Sequence, residues 1–115
     1  MANKVVYSSV FVRKAKDLKK KHSSLTSDLE LLEKSLIDNP KQGSDLGGGL
    51  YKVRLAIKSK GKGKSGGYRV ITYLLNQSED DIFINMVTLY DKSEEDSISK
   101  LYLLKLIKEL FGTRI

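Results

Sequence analysis

The chain has no cysteine in 115 residues. Disulfides and thiolate-held metals are therefore excluded, and the composition suits a reducing compartment. There is one histidine, His22, so no pair of imidazoles can share acid and base work. No stretch approaches the ~20 apolar residues of a membrane span. The opening "MANKVVYSSVFVRKAK" has no long apolar run. We therefore expect no secretory signal, no membrane anchor and a cytoplasmic location. No internal repeat is visible.

The most telling deficit is local. From Lys52 to Arg69 there is no acid, while seven basic side chains occur: Lys52, Arg54, Lys58, Lys60, Lys62, Lys64 and Arg69. The whole chain carries 21 basic and 14 acidic residues, a net charge of +7. Setting those seven aside leaves 14 basic groups against 14 acids, so the excess charge belongs to one segment. A concentrated patch of one sign attracts a polyanion. The rest is ordinary: 40% apolar content, and a length that suits one domain over residues 1–115, burying roughly 65% of its unfolded surface.

Within the basic segment, "KSKGKGKSGGYR" invites a phosphate-loop reading, and its context rejects it. Gly63-Lys64-Ser65 could end a Walker A loop, but position 58 is Lys where the first Gly belongs. Gly61, Gly63 and Gly66 spell G-x-G-x-x-G. That pattern needs a following helix to present its N-terminus to pyrophosphate. Here "YRVITYLL" follows, which reads as a strand. A kinase loop lies between strands, but 115 residues cannot hold a kinase fold and its other signatures are absent.

Periodicity predicts the order β-α-α-β-β-β-α. "KVVY" at Lys4–Tyr7 reads as a first strand. "SVFVRKAKDLKKK" reads as a helix with Phe11, Ala15 and Leu18 inward and Lys19–Lys21 complementing the dipole at its end. In "HSSLTSDLELLEKSLIDNP" Leu25, Leu29, Leu32 and Leu36 form a stripe; Ser24 or Ser27 caps the start and Asn39-Pro40 ends it. "KQGSDLGGG" reads as a turn region. "LYKVRLAI", "GYRVITYLL" and "DDIFINMVTLY" read as an antiparallel meander, with an acidic turn at Glu79–Asp81. "SEEDSISKLYLLKLIKELF" reads as a last helix, with Ser93 and Asp96 as its cap. The expected class is α+β: a helical hairpin packed on a small antiparallel sheet, with a C-terminal helix.

Strict alternation sets the faces. Val53, Leu55 and Ile57 point to the helical hairpin, with Val70 and Leu74 as companions. Arg69 then shares the opposite face with Lys52 and Arg54. Ile71, Tyr73 and Leu75 lie on that face too, and the stripe Leu103, Ile107 and Leu110 of the last helix is the expected cover.

"GGGLYKVRLAIKSKGKGKSGGYRVITYLL" followed by "TLYDKSEEDSIS" resembles the RelE/HigB superfamily, most closely its HigB-like branch. Members carry a GL-x-K-x-R strand, a GKGK-x-GG-x-R hairpin and a Y-x-K-x-E segment. The specific motifs cover Gly47 through about Ser97. The resemblance implies the toxin of a type II toxin–antitoxin module, an mRNA interferase. It implies cleavage of mRNA in the 30S decoding (A) site without a metal or other cofactor, inhibiting translation. It also implies a cognate antitoxin, expected to be a helix-turn-helix protein, with operator DNA engaged only through the toxin–antitoxin complex. Lys52 and Arg54 match the basic pair of the family's strand, Arg69 the arginine after the glycines, and Lys92 the basic residue near the leaving group. Two positions depart: Ser93 stands where the best-known members have arginine, and Ser99 where they have tyrosine. Thr72 stands where close relatives often have tyrosine.

In such a reaction the 2′-hydroxyl attacks the adjacent phosphorus, a base takes its proton and an acid protonates the leaving 5′-oxygen. Arginine holds its charge and grips phosphate in a bidentate way, so Arg54 and Arg69 suit charge stabilisation. Lysine acts as a base once neighbouring cations lower its pKa, which assigns Lys52 as base and leaves Lys92 as acid. Lys58, Lys60, Lys62 and Lys64 are the expected RNA backbone contacts, with Tyr73, Tyr90 or Tyr102 as base-stacking candidates. His22, in the turn between helices, reads as a surface or capping residue. Asp80, Asp81, Glu94, Glu95 and Asp96 read as turn and helix-start acids, not metal ligands. The other readings are a non-catalytic RNA- or DNA-binding module, or an inactive relic that binds antitoxin.

Overall fold

The computed structural model describes residues 3–61, 63, 66–76, 81–95 and 97–112. Its elements are β1 (Asn3–Tyr7), α1 (Ser9–Lys21), α2 (Leu25–Asp38), β2 (Ser44–Gly47), β3 (Leu50–Leu55), a single 3-10 turn (Lys58–Lys60), β4 (Tyr68–Asn76), β5 (Ile82–Asp91) and α3 (Lys100–Phe111). Lys62, Lys64, Glu79, Asp80 and Asp96 lie outside the described residues.

The class is α+β, as the periodicity implies, with strand order β1-β5-β4-β3-β2. The β3–β4–β5 meander is antiparallel. β1 adds a parallel edge to β5, pairing Asn3 with Ile82 and Tyr7 with Met86, so the sheet is mixed. A parallel neighbour needs a crossover, and the α1–α2 hairpin begins that connection immediately after Tyr7. The turn region before β3 also contains a short strand. β2 pairs with β3 through a bulge between Asp45 and Gly47, where the Asp45 carboxylate accepts the Gly47 N–H at 2.7 Å.

The sheet is buried on both faces. The hairpin-side core joins Phe11 of α1 and Leu25, Leu29, Leu32 and Leu36 of α2 to Val53, Leu55, Val70, Ile84, Met86 and Leu89. The other core joins Leu50, Ile71 and Val87 to Leu103 and Leu106 of α3, with Tyr73, Ile107 and Leu110 packed against it. The strand alternation thus places Val53, Leu55, Ile57, Val70 and Leu74 toward the hairpin and Ile71 and Tyr73 on the second face, as expected, and α3 is the cover over one part of that face.

Helix starts refine the sequence reading. Ser8 caps α1: its Oγ accepts the Phe11 N–H at 3.0 Å and donates to the Val87 carbonyl at 2.7 Å. Ser24 precedes α2, but its hydroxyl donates to Asp28 at 2.7 Å and does not cap the backbone. α3 begins at Lys100, not near Ser93. Ser99 is the cap, its Oγ accepting the Tyr102 N–H at 3.1 Å. Ser93 lies seven residues before the helix, in the turn after β5, where its N–H (3.0 Å) and hydroxyl (2.8 Å) both donate to Asp91 Oδ1. Among the described residues no helix is long and apolar enough to cross a membrane.

Candidate active site

β3 and β4 are paired so that Arg54 lies directly opposite Arg69, and Lys52 opposite Ile71. Opposed residues of an antiparallel pair project to one face, and so do residues two apart on a strand. Lys52, Arg54 and Arg69 therefore share the face that α3 covers elsewhere. Lys92, directly after β5, completes the group. Together with Ser44 of β2 these four cations line a hollow of about 200 Å³. Among the described residues no acidic side chain contributes to that lining.

The four cations are set differently. Arg54 is exposed, Lys52 and Lys92 are half-buried, and Arg69 is only 6% exposed, with Nη1 donating to the Tyr68 carbonyl at 3.2 Å. An anchored guanidinium beside an exposed one offers fixed donors at the floor and solvent-accessible donors at the rim. Lys92 is held by its backbone, its N–H donating to the Gly67 carbonyl at 3.1 Å. Gly67 itself is required by close approach: a Cβ there would stand 2.1 Å from the Leu55 carbonyl oxygen.

Of the expected RNA contacts, Lys58 is exposed at the start of the 3-10 turn, and Lys62 and Lys64 lie outside the described residues. Lys60 does not project. Its Nζ donates to Asp91 Oδ1, the two side chains being 7% and 3% exposed, so its charge is spent inside the protein and it is withdrawn from the contact set. Tyr90 is also corrected. It is 1% exposed beneath the sheet surface, so its ring cannot stack on a base. Burial, opposed by Arg69 and reinforced by Glu95, holds its phenol above the usual range. Tyr73 stands four residues along β4 from Arg69 and packs on the Phe111 ring, centroids 5.1 Å apart, away from the hollow. Tyr102 of α3 is exposed.

His22 has a structural role: its Nδ1 lies 2.8 Å from the Tyr68 hydroxyl. Burial, with Asp91 and Glu94 nearby, pushes the Tyr68 phenol up to about 12. Among the described residues no group of His, Asp or Glu side chains is gathered where it could hold a metal ion. Two larger hollows, of about 330 Å³ between α1 and α2 and about 430 Å³ along α2, are walled mainly by apolar surface. The chemistry-bearing side chains converge on the smallest of the three. Sequence reasoning missed Ser44, because its strand was hidden in a turn-like composition. It also missed the partnership of Asp91 with Lys60.

Comparison with known proteins agrees with this architecture. The family model described as RelE toxin of the RelE/RelB toxin–antitoxin system matches residues 3–110. A solved structure of the E. coli toxin RelE, a double arginine-to-alanine mutant in the free state, is similar over 84% of this chain and 90% of its own, with a TM-score of 0.55 and 13% identity. At that identity the likeness speaks for the fold.

Proposed function

This chain belongs to the RelE family of toxins from toxin–antitoxin systems, and on that premise we propose that it is an endoribonuclease that cuts mRNA in the ribosomal decoding site. The observation that carries the reading is the hollow in which Lys52, Arg54, Arg69 and Lys92 meet. A scissile phosphodiester seated there would have Arg54 and Arg69 on its non-bridging oxygens. Lys52 takes the proton of the attacking 2′-hydroxyl, and Lys92 delivers one to the leaving 5′-oxygen. The products are a 2′,3′-cyclic phosphate and a 5′-hydroxyl end. Preorganised donors matter most as charge builds on the phosphorane, and each is worth about 10²–10³ in rate. Two lysines are modest acid–base groups, so the ribosome's part is to hold the mRNA in line for attack.

The partner neutralising the toxin is a cognate antitoxin, in our reading a helix-turn-helix protein, through which the pair would reach operator DNA. Cytoplasmic action follows from a ribosomal target.

The test is inducible expression of wild type against the Lys52→Ala/Arg69→Ala double variant, with primer extension on a translated message. We expect wild type alone to arrest growth and to leave discrete cuts that require translation. Equal arrest by both, or by neither, would overturn the assignment in favour of a binding module or an inactive relic.

A further inference from the structure

One lysine of the basic segment turns inward, and the structure shows what it fastens. Lys60 ends the 3-10 turn that opens the glycine-rich loop. Its ammonium donates to Asp91 Oδ1 and, at 3.2 Å, to Ser93 Oγ, and it lies 5.8 Å from the centre of the Tyr68 ring. Ser93 closes the figure, donating its own hydroxyl and N–H to the same Asp91 oxygen. A buried ion pair adds little net stability compared with apolar residues of the same size, and its attested use is to fix one arrangement among several.

The arrangement fixed here runs through Lys92. Asp91 precedes it in the chain and holds the loop's entrance through Lys60. Lys92's own N–H holds the loop's exit through Gly67. The entrance is fastened from the other side as well, where the Lys58 N–H donates to Asp28 at 3.1 Å and the Ser59 N–H to Ser24 Oγ at 2.8 Å. Both roots of the loop therefore meet the two residues at the end of β5, one of which lines the cationic hollow.

We propose that Lys60, Asp91 and Ser93 form a latch that positions Lys92 against the scissile phosphate, so that Lys60 acts through Lys92 and touches no RNA. The proposal rests on the endoribonuclease reading for its effect on rate, and on the geometry alone for the latch. It also gives a use to Ser93: this position serves to hold Asp91.

Two variants test it. Lys60→Met/Asp91→Asn removes the pair without stranding a charge in the interior, and Ser93→Ala loosens it while the ion pair stays. On programmed ribosomes the double variant should lower the single-turnover cleavage rate about 10–100-fold, since a misplacement of 1 Å can cost that much. Its half-saturating concentration and the salt slope of its RNA binding should stay at wild-type values. Lys58→Ala, at an expected RNA contact, should by contrast reduce that slope by about 1. In a Lys92→Ala background the double variant should cause no further loss, because a positioning residue acts only through the group it places. Independently of activity, amide exchange at Lys92 should rise at least about tenfold in the double variant, and measurably in Ser93→Ala, while Val70 stays protected. A reduced salt slope, an additive loss with Lys92→Ala, or unchanged exchange at Lys92 overturns the latch. If wild type itself does not cut, the endoribonuclease reading fails, and the exchange experiment still decides whether the latch exists.

Discussion

Arg54 and Arg69 are direct cross-strand partners, one exposed at the rim of the hollow and the other 6% exposed at its floor. Arg69 is anchored to the Tyr68 carbonyl while Arg54 is open to solvent, so the pairing sets a fixed guanidinium beside an accessible one.

The first prediction concerns Arg54, which is exposed. Arg54→Gln should leave the stability of the unliganded protein within about 0.5 kcal/mol of wild type, as substitutions of exposed side chains usually do. The same change should lower mRNA cleavage by about 10²–10³. Urea denaturation and a ribosome cleavage assay on one preparation measure the two halves. A variant that loses stability and keeps its activity would contradict the placement of Arg54.

Asp91 sets the acid limb of stability. Burial pushes its carboxyl upward, but hydrogen bonds from Lys60 and from the Ser93 N–H and hydroxyl, with the Lys60 charge, outweigh burial and hold it below the usual range. A depressed folded pKa contributes stability that is present above the unfolded value of about 3.9 and is lost as pH falls through the folded one. Asp91→Asn should therefore cost about 3–5 kcal/mol at pH 7, the usual penalty for stranding one partner of a buried pair. The gap from wild type should narrow as pH drops below about 4. Chemical denaturation across pH 2–7 measures it.

Tyr68 sets the alkaline limb. Its phenol is raised to about 12, so the folded protein holds that proton more tightly than the unfolded chain does. The associated stability is complete below about pH 10 and is lost as pH rises from there toward 12. Absorbance at 295 nm, taken as wild type minus Tyr68→Phe, should show a tyrosine titrating near pH 12. A component at pH 10 in that difference would mean the hydroxyl is exposed.

Gly67→Ala should be costly without touching the hollow. The added methyl would meet the Leu55 carbonyl oxygen, a backbone atom that cannot swing aside. Overpacking of this kind costs about 1–3 kcal/mol. Because Gly67 also accepts from the Lys92 N–H, cleavage should fall further than stability alone explains. Thermal melts and cleavage rates for Gly67→Ala, beside Arg54→Gln, separate the two effects.

How far the sequence carries can be seen at particular residues. The alternation in "LYKVRLAI" put Val53 and Leu55 against the helices and Arg54 on the other side, because a strand gives its side chains only two faces. The leucine stripe of α2 was equally legible, since four residues at helical spacing leave one way to bury them. The pairing of β1 with β5 was not, because it joins segments about eighty positions apart and leaves no local pattern. Lys60 was misread for a related reason. Lysines 58 and 60 look alike in the chain, and the carboxylate of Asp91, 31 residues from Lys60, draws Lys60 inward. Ser93 reads as the cap of α3, but the helix starts seven residues later and Ser99 caps it, while Ser93 donates to Asp91 in the turn after β5.

The strand order has a consequence for biosynthesis. β5 lies between β1 and β4, so the first strand to be made has no neighbour until the last one has emerged. Contacts between distant segments form late, after the loop-closure entropy has been paid. Lys92 sits at the far end of that last strand. A nascent polypeptide thus cannot assemble the cation cluster before nearly all of its sheet has been translated.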